Sequence, residues 1–190
     1  MTAGVRQLLG LAMASVSFLG SIIICVLPQW RVTKAQNSNS DDFDVLSEGL
    51  WKACLSSSTY GSMTQCRIYG SEHRPITEDL EVARALIIIA IIVGVIGILL
   101  GVAGSKFINF VPDKTKKSKM VMASGVVFLI AGLFVLIPVC WTTNTISVPL
   151  HGSLKMELGA SVYIGWITAV LLFLGGGFLC SSFLCTDGTD

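Results

Sequence analysis

What this chain lacks is charge. Asp, Glu, Lys and Arg make up 13% of its 190 residues, about half the share of an ordinary soluble domain. The few charges are also segregated, because residues 7–30, 85–105, 120–154 and 158–186 contain none of the four. Histidine is nearly missing too: His73 and His151 are the only two, and no Cys-x-x-Cys or Cys/His cluster accompanies them. Without a ligand set of that kind, neither a metal centre nor another cofactor has support. Nucleophile-elbow, His-Glu-x-x-His and paired-acid patterns are lacking, so Ser56-Ser57-Ser58 and His73 carry no catalytic assignment. Pumps and proton-coupled transporters need ionisable groups at membrane depth, and the charge-free stretches offer none. A formal net charge of +1 gives no hint of a nucleic-acid partner. The expectation is a protein that is neither an enzyme nor a transporter.

What is present is hydrophobic length. A span needs roughly 20 apolar residues to cross a bilayer core of about 30 Å. Each charge-free stretch holds one, at about 8–27, 85–105, 120–140 and 160–182. The first could be a signal peptide, but it lacks a small-x-small cleavage site before Pro28-Gln29-Trp30 and reads as a retained span. Lys106, Lys114, Lys116, Lys117 and Lys119 against Asp113 mark the connection 106–119 as cytoplasmic. Those lysines also meet anionic headgroups. Both termini are then cytoplasmic, including the tail 183–190, while 28–84 and 141–159 lie outside the cell in a multi-pass plasma-membrane protein. Residues 29–81 hold five cations and eight anions, a mildly acidic loop of net charge −3.

Topology sorts the six cysteines. Cys54 and Cys66 are the only pair in the oxidising compartment, and a disulfide between them contributes roughly 3 kcal/mol by loop entropy. Cys25 and Cys140 read as small buried apolar residues within the spans. Cys180 and Cys185 bracket the inner end of the fourth span, where palmitoylation and an unmodified thiol are both open.

The first outer loop reads as short strands. Phe43, Val45 and Leu46 precede Gly49-Leu50-Trp51, and Met63 to Tyr69 alternates around Cys66. Trp30 and Trp51 are amphipathic and suit the membrane interface. Thr77 with Glu78, Asp79 and Glu81 resembles a helix start leading into the second span. Arg84 then falls at the outer boundary, to snorkel to headgroups or to touch the loop. Pro138 is placed to kink or end the third span. The second outer segment offers one further strand. The Gly97-xxx-Gly101 pair and the run Gly175-Gly176-Gly177 suit close packing within the bundle.

These residues together resemble a claudin, a divergent member of the claudin and peripheral-myelin-protein superfamily. The resemblance rests on Pro28-Gln29-Trp30-Arg31, Gly49-Leu50-Trp51, Cys54, Cys66 and Ala83-Arg84-Ala85-Leu86. Trp141, Lys155-Met156-Glu157-Leu158-Gly159 and Tyr163-Ile164-Gly165-Trp166 extend it, so that it covers residues 5–185. It implies a left-handed four-helix bundle under a small antiparallel sheet. It also implies assembly with other claudins, beside it and across the intercellular gap, into tight-junction strands of epithelial or endothelial cells. In that family the residue after the second loop cysteine faces the paracellular pathway. Here it is Arg67, which implies a barrier or an anion-leaning pathway.

Three stretches depart from the family pattern. Where claudins carry an apolar run for lateral contacts, this chain has Ser71-Glu72-His73-Arg74-Pro75-Ile76. The usual aromatic-rich turn of the second loop is replaced by Ile146-Ser147-Val148-Pro149-Leu150, with Met156 beyond it. The chain closes on Thr189-Asp190 and not on Tyr-Val, which weakens the expectation of PDZ-scaffold binding. These departures keep an alternative open, an auxiliary subunit of a channel or receptor that forms no strands.

Overall fold

Among the described residues, four long helices and five short strands follow the alternation of charge-free and polar stretches. The structure is a computed structural model and describes residues 3–36, 43–57, 63–70, 76–105, 112–147 and 154–187. In chain order these are α1 (Ala3–Val26), β1 (Arg31–Gln36), β2 (Phe43–Glu48), β3 (Lys52–Ser57), β4 (Met63–Ile68), α2 (Glu78–Ala103), α3 (Lys114–Ser147), β5 (Leu154–Leu158) and α4 (Ala160–Asp187). All four helices are long and apolar enough to cross a membrane.

The helices outrun the spans expected from hydropathy, since the α-helical backbone continues where polar residues take over. α2 starts at Glu78, seven residues ahead of the expected span. Thr77 holds the N-cap position in extended backbone, yet its hydroxyl makes no capping bond. Its carbonyl instead accepts from Leu80 and Glu81 N–H at 2.9 and 3.1 Å. α3 differs most. Its first residue is Lys114, so Lys114, Lys116, Lys117 and Lys119 are helical and not part of a 106–119 loop. It then passes through Pro138 and continues to Ser147, taking Ile146 out of the second loop and into its last turn. Thr143, Thr145 and Ser147 hydroxyls donate to the carbonyls four residues back at 2.8, 3.0 and 2.8 Å, which satisfies side chains beyond the apolar stretch.

The helices form a ring in which α4 packs on α1 and α3, and α2 packs on α1 and α3. Glycine sets the closest approaches. A Cβ at Gly10 would lie 2.9 Å from the Gly175 carbonyl oxygen, and one at Gly125 2.8 Å from that of Gly176. The α1–α4 and α3–α4 contacts are therefore backbone on backbone. Gly97 faces Phe128, and its carbonyl accepts from Ser124 Oγ at 2.7 Å, so this glycine is spent inside the bundle. Ile87, Phe128, Val135, Val139, Leu172 and Leu179 fill the interior. The outside is apolar as well, with Leu8, Val16, Leu19, Leu99, Leu133 and Ile167 exposed. On a molecule in water such a girdle would be a liability, whereas in lipid it is the solvent-facing surface. Cys25 is buried, but Cys140 is exposed on the outward face of α3, which corrects the expectation of a buried thiol there.

One sheet caps one end of the bundle, in the order β4-β3-β2-β1-β5, with every neighbouring pair antiparallel. The second polar segment does supply a strand: β5 pairs with β1, Thr33 opposite Met156 and Arg31 opposite Leu158.

Candidate functional site

The sheet is fastened to the bundle by its tryptophans and glycines. Trp30 leaves α1 by a short bend and is fully buried, so it is a core residue and not an exposed interfacial anchor. Its indole N–H donates to the Ile24 carbonyl at 2.8 Å, and its backbone N–H to the Glu48 carbonyl at 2.7 Å. Leu50 is equally buried. Gly49 sits against Pro28, where any Cβ would collide with the Pro28 backbone, which accounts for glycine in Gly49-Leu50-Trp51. Trp51 stays 42% exposed. Its indole N–H points at Cys25 Sγ, 3.5 Å away, and the Arg84 guanidinium lies over its ring, 5.1 Å from the centroid. Arg84 thus contacts the loop directly; stacking of this kind contributes about 0.5–1 kcal/mol at an exposed site.

Register places Cys54 and Cys66 directly opposite each other on β3 and β4, and they are joined by a disulfide. β4 is an edge strand exposed along its whole length. Arg67 is the next residue, opposite Ala53, and alternation turns it to the face opposite the disulfide. Following the register across the sheet, Arg67, Ala53, Glu48, Arg31 and Leu158 form one row. Among the described residues no carboxylate pairs with Arg67. Its guanidinium is a fixed charge on an open edge.

Two polar contacts escaped the sequence reading. Arg31 is 5% exposed, and its Nη2 donates to Asp79 Oδ2 at 3.2 Å, tying β1 to the first turn of α2. The available signal was weak: an arginine beside a motif tryptophan and an acid 48 residues later. Lys34 pairs with Glu157 at 2.7 Å, a diagonal neighbour on the same face of β1 and β5. Met156 lies on β5, two residues from the β5–α4 junction. At that junction Gly159 N–H donates to the Trp30 carbonyl (3.2 Å) and Ser161 N–H to the Gln29 carbonyl (3.0 Å).

Of the remaining candidate residues, those that are described lie away from this site. Ser71, Glu72, His73 and Arg74 lie outside the described residues, as do Val148 and Pro149. Ile146 is half-buried in α3. Cys180 packs against Gly125 of α3, with Sγ 4.0 Å from the Met122 carbonyl, so the thiol is turned toward a neighbouring helix. Cys185 belongs to the last turns of α4. Among the described residues no group of His, Cys, Asp or Glu has the arrangement of a metal site.

A four-helix membrane bundle, a five-stranded cap and a bridged Trp–Gly-Leu-Trp–Cys–Cys frame define the architecture. The model of the PMP-22/EMP/MP20/Claudin family matches residues 4–179. The chain belongs to this family. Within it the similarity is to claudins. Claudin-4 of Bos taurus is 45% identical over 189 residues, covering 97% of this chain and 88% of that protein. Claudin-4 of Homo sapiens is 43% identical over the same length and coverage, and human Claudin-3 is 40% identical over 181 residues, covering 93% and 81%. As a claudin, the chain is a multi-pass tight-junction protein that interacts with other claudins.

Proposed function

We propose that this claudin forms a paracellular barrier or anion-leaning pathway in which Arg67 sets the charge preference. The sheet lies outside the cell and both termini lie in the cytoplasm, an orientation supported by the lysines at the opposite end. The role is structural and adhesive, with no chemical step assigned to any side chain. Self-association and mixed assembly with other claudins proceed beside the molecule and across the gap. Ser71 to Arg74 and Val148-Pro149 modulate those contacts.

The observation that carries the charge preference is the position of Arg67. It projects from an open sheet edge, beside the disulfide that stiffens that edge, with no ion-pair partner among the described residues. A fixed cation in a narrow wet passage disfavours cations. The net charge of −3 in the surrounding loop acts in the opposite sense, but screening over about 8 Å confines each charge to its neighbourhood, so position outweighs the sum. Dilution potentials across monolayers expressing this chain test the reading. Arg67→Glu is expected to shift permeability from chloride toward sodium. A pathway that already prefers sodium, and whose preference Arg67→Glu leaves unchanged, overturns it.

A further inference from the structure

Near the sheet, α2 and α3 leave a groove of about 220 Å³ between them. The two helices run antiparallel, with Gly97 facing Phe128 and Gly101 facing Ser124. That register gives the groove a polar end and an apolar end. Glu78 and Asp79, in the first turn of α2, line the end nearer the sheet. Leu86 lies about 12 Å further along the same helix, near the level of Ile137 and Pro138. Val82, Ile137 and Trp141 are exposed on the outside of the bundle, so the groove opens toward lipid. Thr142 also lines it, at 3% exposure. Its neighbours Thr143, Thr145 and Ser147 return their hydroxyls to carbonyls four residues back, whereas the Thr142 hydroxyl makes no hydrogen bond among the described residues. Asp79 gives Oδ2 to Arg31, and its Oδ1 has no hydrogen-bond donor among the described residues. An acceptor and a hydroxyl therefore stand unpartnered at one end of a lipid-facing groove.

A phospholipid brings a phosphate to such a place. Arg31 already balances Asp79, but the Glu78 carboxylate has no ion pair among the described residues and repels that group. A sterol brings no charge. Its single hydroxyl can donate to one group and accept from another, and its rigid rings offer a flat apolar surface. We propose that this groove binds a sterol, with the 3β-hydroxyl shared between Asp79 and Thr142 and the rings against Val82, Leu86, Ile137 and Trp141. The space is smaller than a whole-ligand site and suits the hydroxyl-bearing end. A more open groove of about 660 Å³ shares Ile137 and Trp141 with it and adds Leu136 and Cys140, which extends the apolar wall around α3. This site faces the bilayer and is independent of the charge preference assigned to Arg67.

The test is retention of sterol by the full chain in phosphatidylcholine nanodiscs containing cholesterol or its 3α epimer, epicholesterol, counted by native mass spectrometry. The epimer keeps the apolar body and redirects the hydroxyl. Cholesterol is expected to be retained roughly five-fold better, the effect of one hydrogen bond. Thr142→Val keeps the shape of the side chain and is expected to erase that preference. It should leave thermal stability in sterol-free nanodiscs unchanged, because the hydroxyl has no bond to lose. Val82→Trp, which fills the groove from its exposed rim, is expected to lower retention of both sterols. Equal retention of the two epimers, or a preference that survives Thr142→Val, would overturn the proposal. Photoreactive cholesterol that cross-links elsewhere than residues 78–86 and 137–142 would overturn the placement. Phosphatidylcholine retained in sterol-free nanodiscs and lost in Val82→Trp would overturn the sterol assignment in favour of a phospholipid. If Val82→Trp lowers helicity, the epimer comparison with Thr142→Val decides by itself.

Discussion

The ion pair between Arg31 and Asp79 makes an asymmetric prediction. Arg31 is nearly dry, with 6% of its side chain exposed, whereas 32% of the Asp79 side chain reaches solvent. Arg31 Nε is also buried and has no hydrogen-bond partner among the described residues. Removing one partner of a fully buried pair costs about 3–5 kcal/mol, because a buried charge is left uncompensated. Asp79→Ala does this to Arg31, and the partial exposure of Asp79 discounts the figure to about 2 kcal/mol. Arg31→Met is the milder change. It removes the buried charge and its unpartnered donor, and leaves Asp79 with water and the positive end of α2, for a loss of about 1 kcal/mol or less. The double variant should then be more stable than Asp79→Ala alone, with a coupling of about 1 kcal/mol or more. Equilibrium unfolding in mixed micelles, followed by tryptophan fluorescence, reads the four species of the cycle, and Trp30 sits beside the pair in sequence. Additive losses within about 0.3–0.5 kcal/mol would refute the reasoning. So would a loss from Arg31→Met as large as that from Asp79→Ala.

Two further predictions concern the scaffold. Replacing Cys54 and Cys66 together by alanine is expected to lower stability by about 3 kcal/mol, the loop-entropy value for a bridge across this separation, and unfolding of the unaltered protein under reducing conditions should match the variant. Gly159→Ala would drive a Cβ into the Gln29 carbonyl, whereas Gly177→Ala meets nothing within 4 Å. Surface delivery measured by biotinylation should fall severely for the first and stay unchanged for the second.

The parts of the fold that rest on solvent partition were legible in the sequence. Charge-free length located the four spans, and alternation around Cys66 located β4. The helix ends were not legible, because hydropathy reports where lipid begins and not where the backbone stops being helical. Thr143, Thr145 and Ser147 hold polar turns of α3 together with hydroxyl bonds that no apolar pattern records. Arg31–Asp79 and Arg84–Trp51 join residues 48 and 33 positions apart, which only tertiary packing brings together. The burial of Trp30 and the exposure of Cys140 depend on helix rotation, and a run apolar on every side carries no signal for that.

The junction of β1 with β5 bears on biogenesis. Trp30 and Gln29 accept their bonds from Gly159 and Ser161 respectively, about 130 residues later in the chain. β1 therefore emerges from the ribosome long before the strand that covers its second edge. Through synthesis of α2 and α3 that edge presents unpaired backbone groups, the surface most prone to mispairing with another chain. Closure waits for the start of α4, where a side chain at position 159 would collide with the Gln29 backbone and glycine lets the two backbones meet. Pairing with β5 covers that edge of β1 and leaves β4 and β5 as the outer strands, so the sheet is complete only after the residues that start α4 have been made.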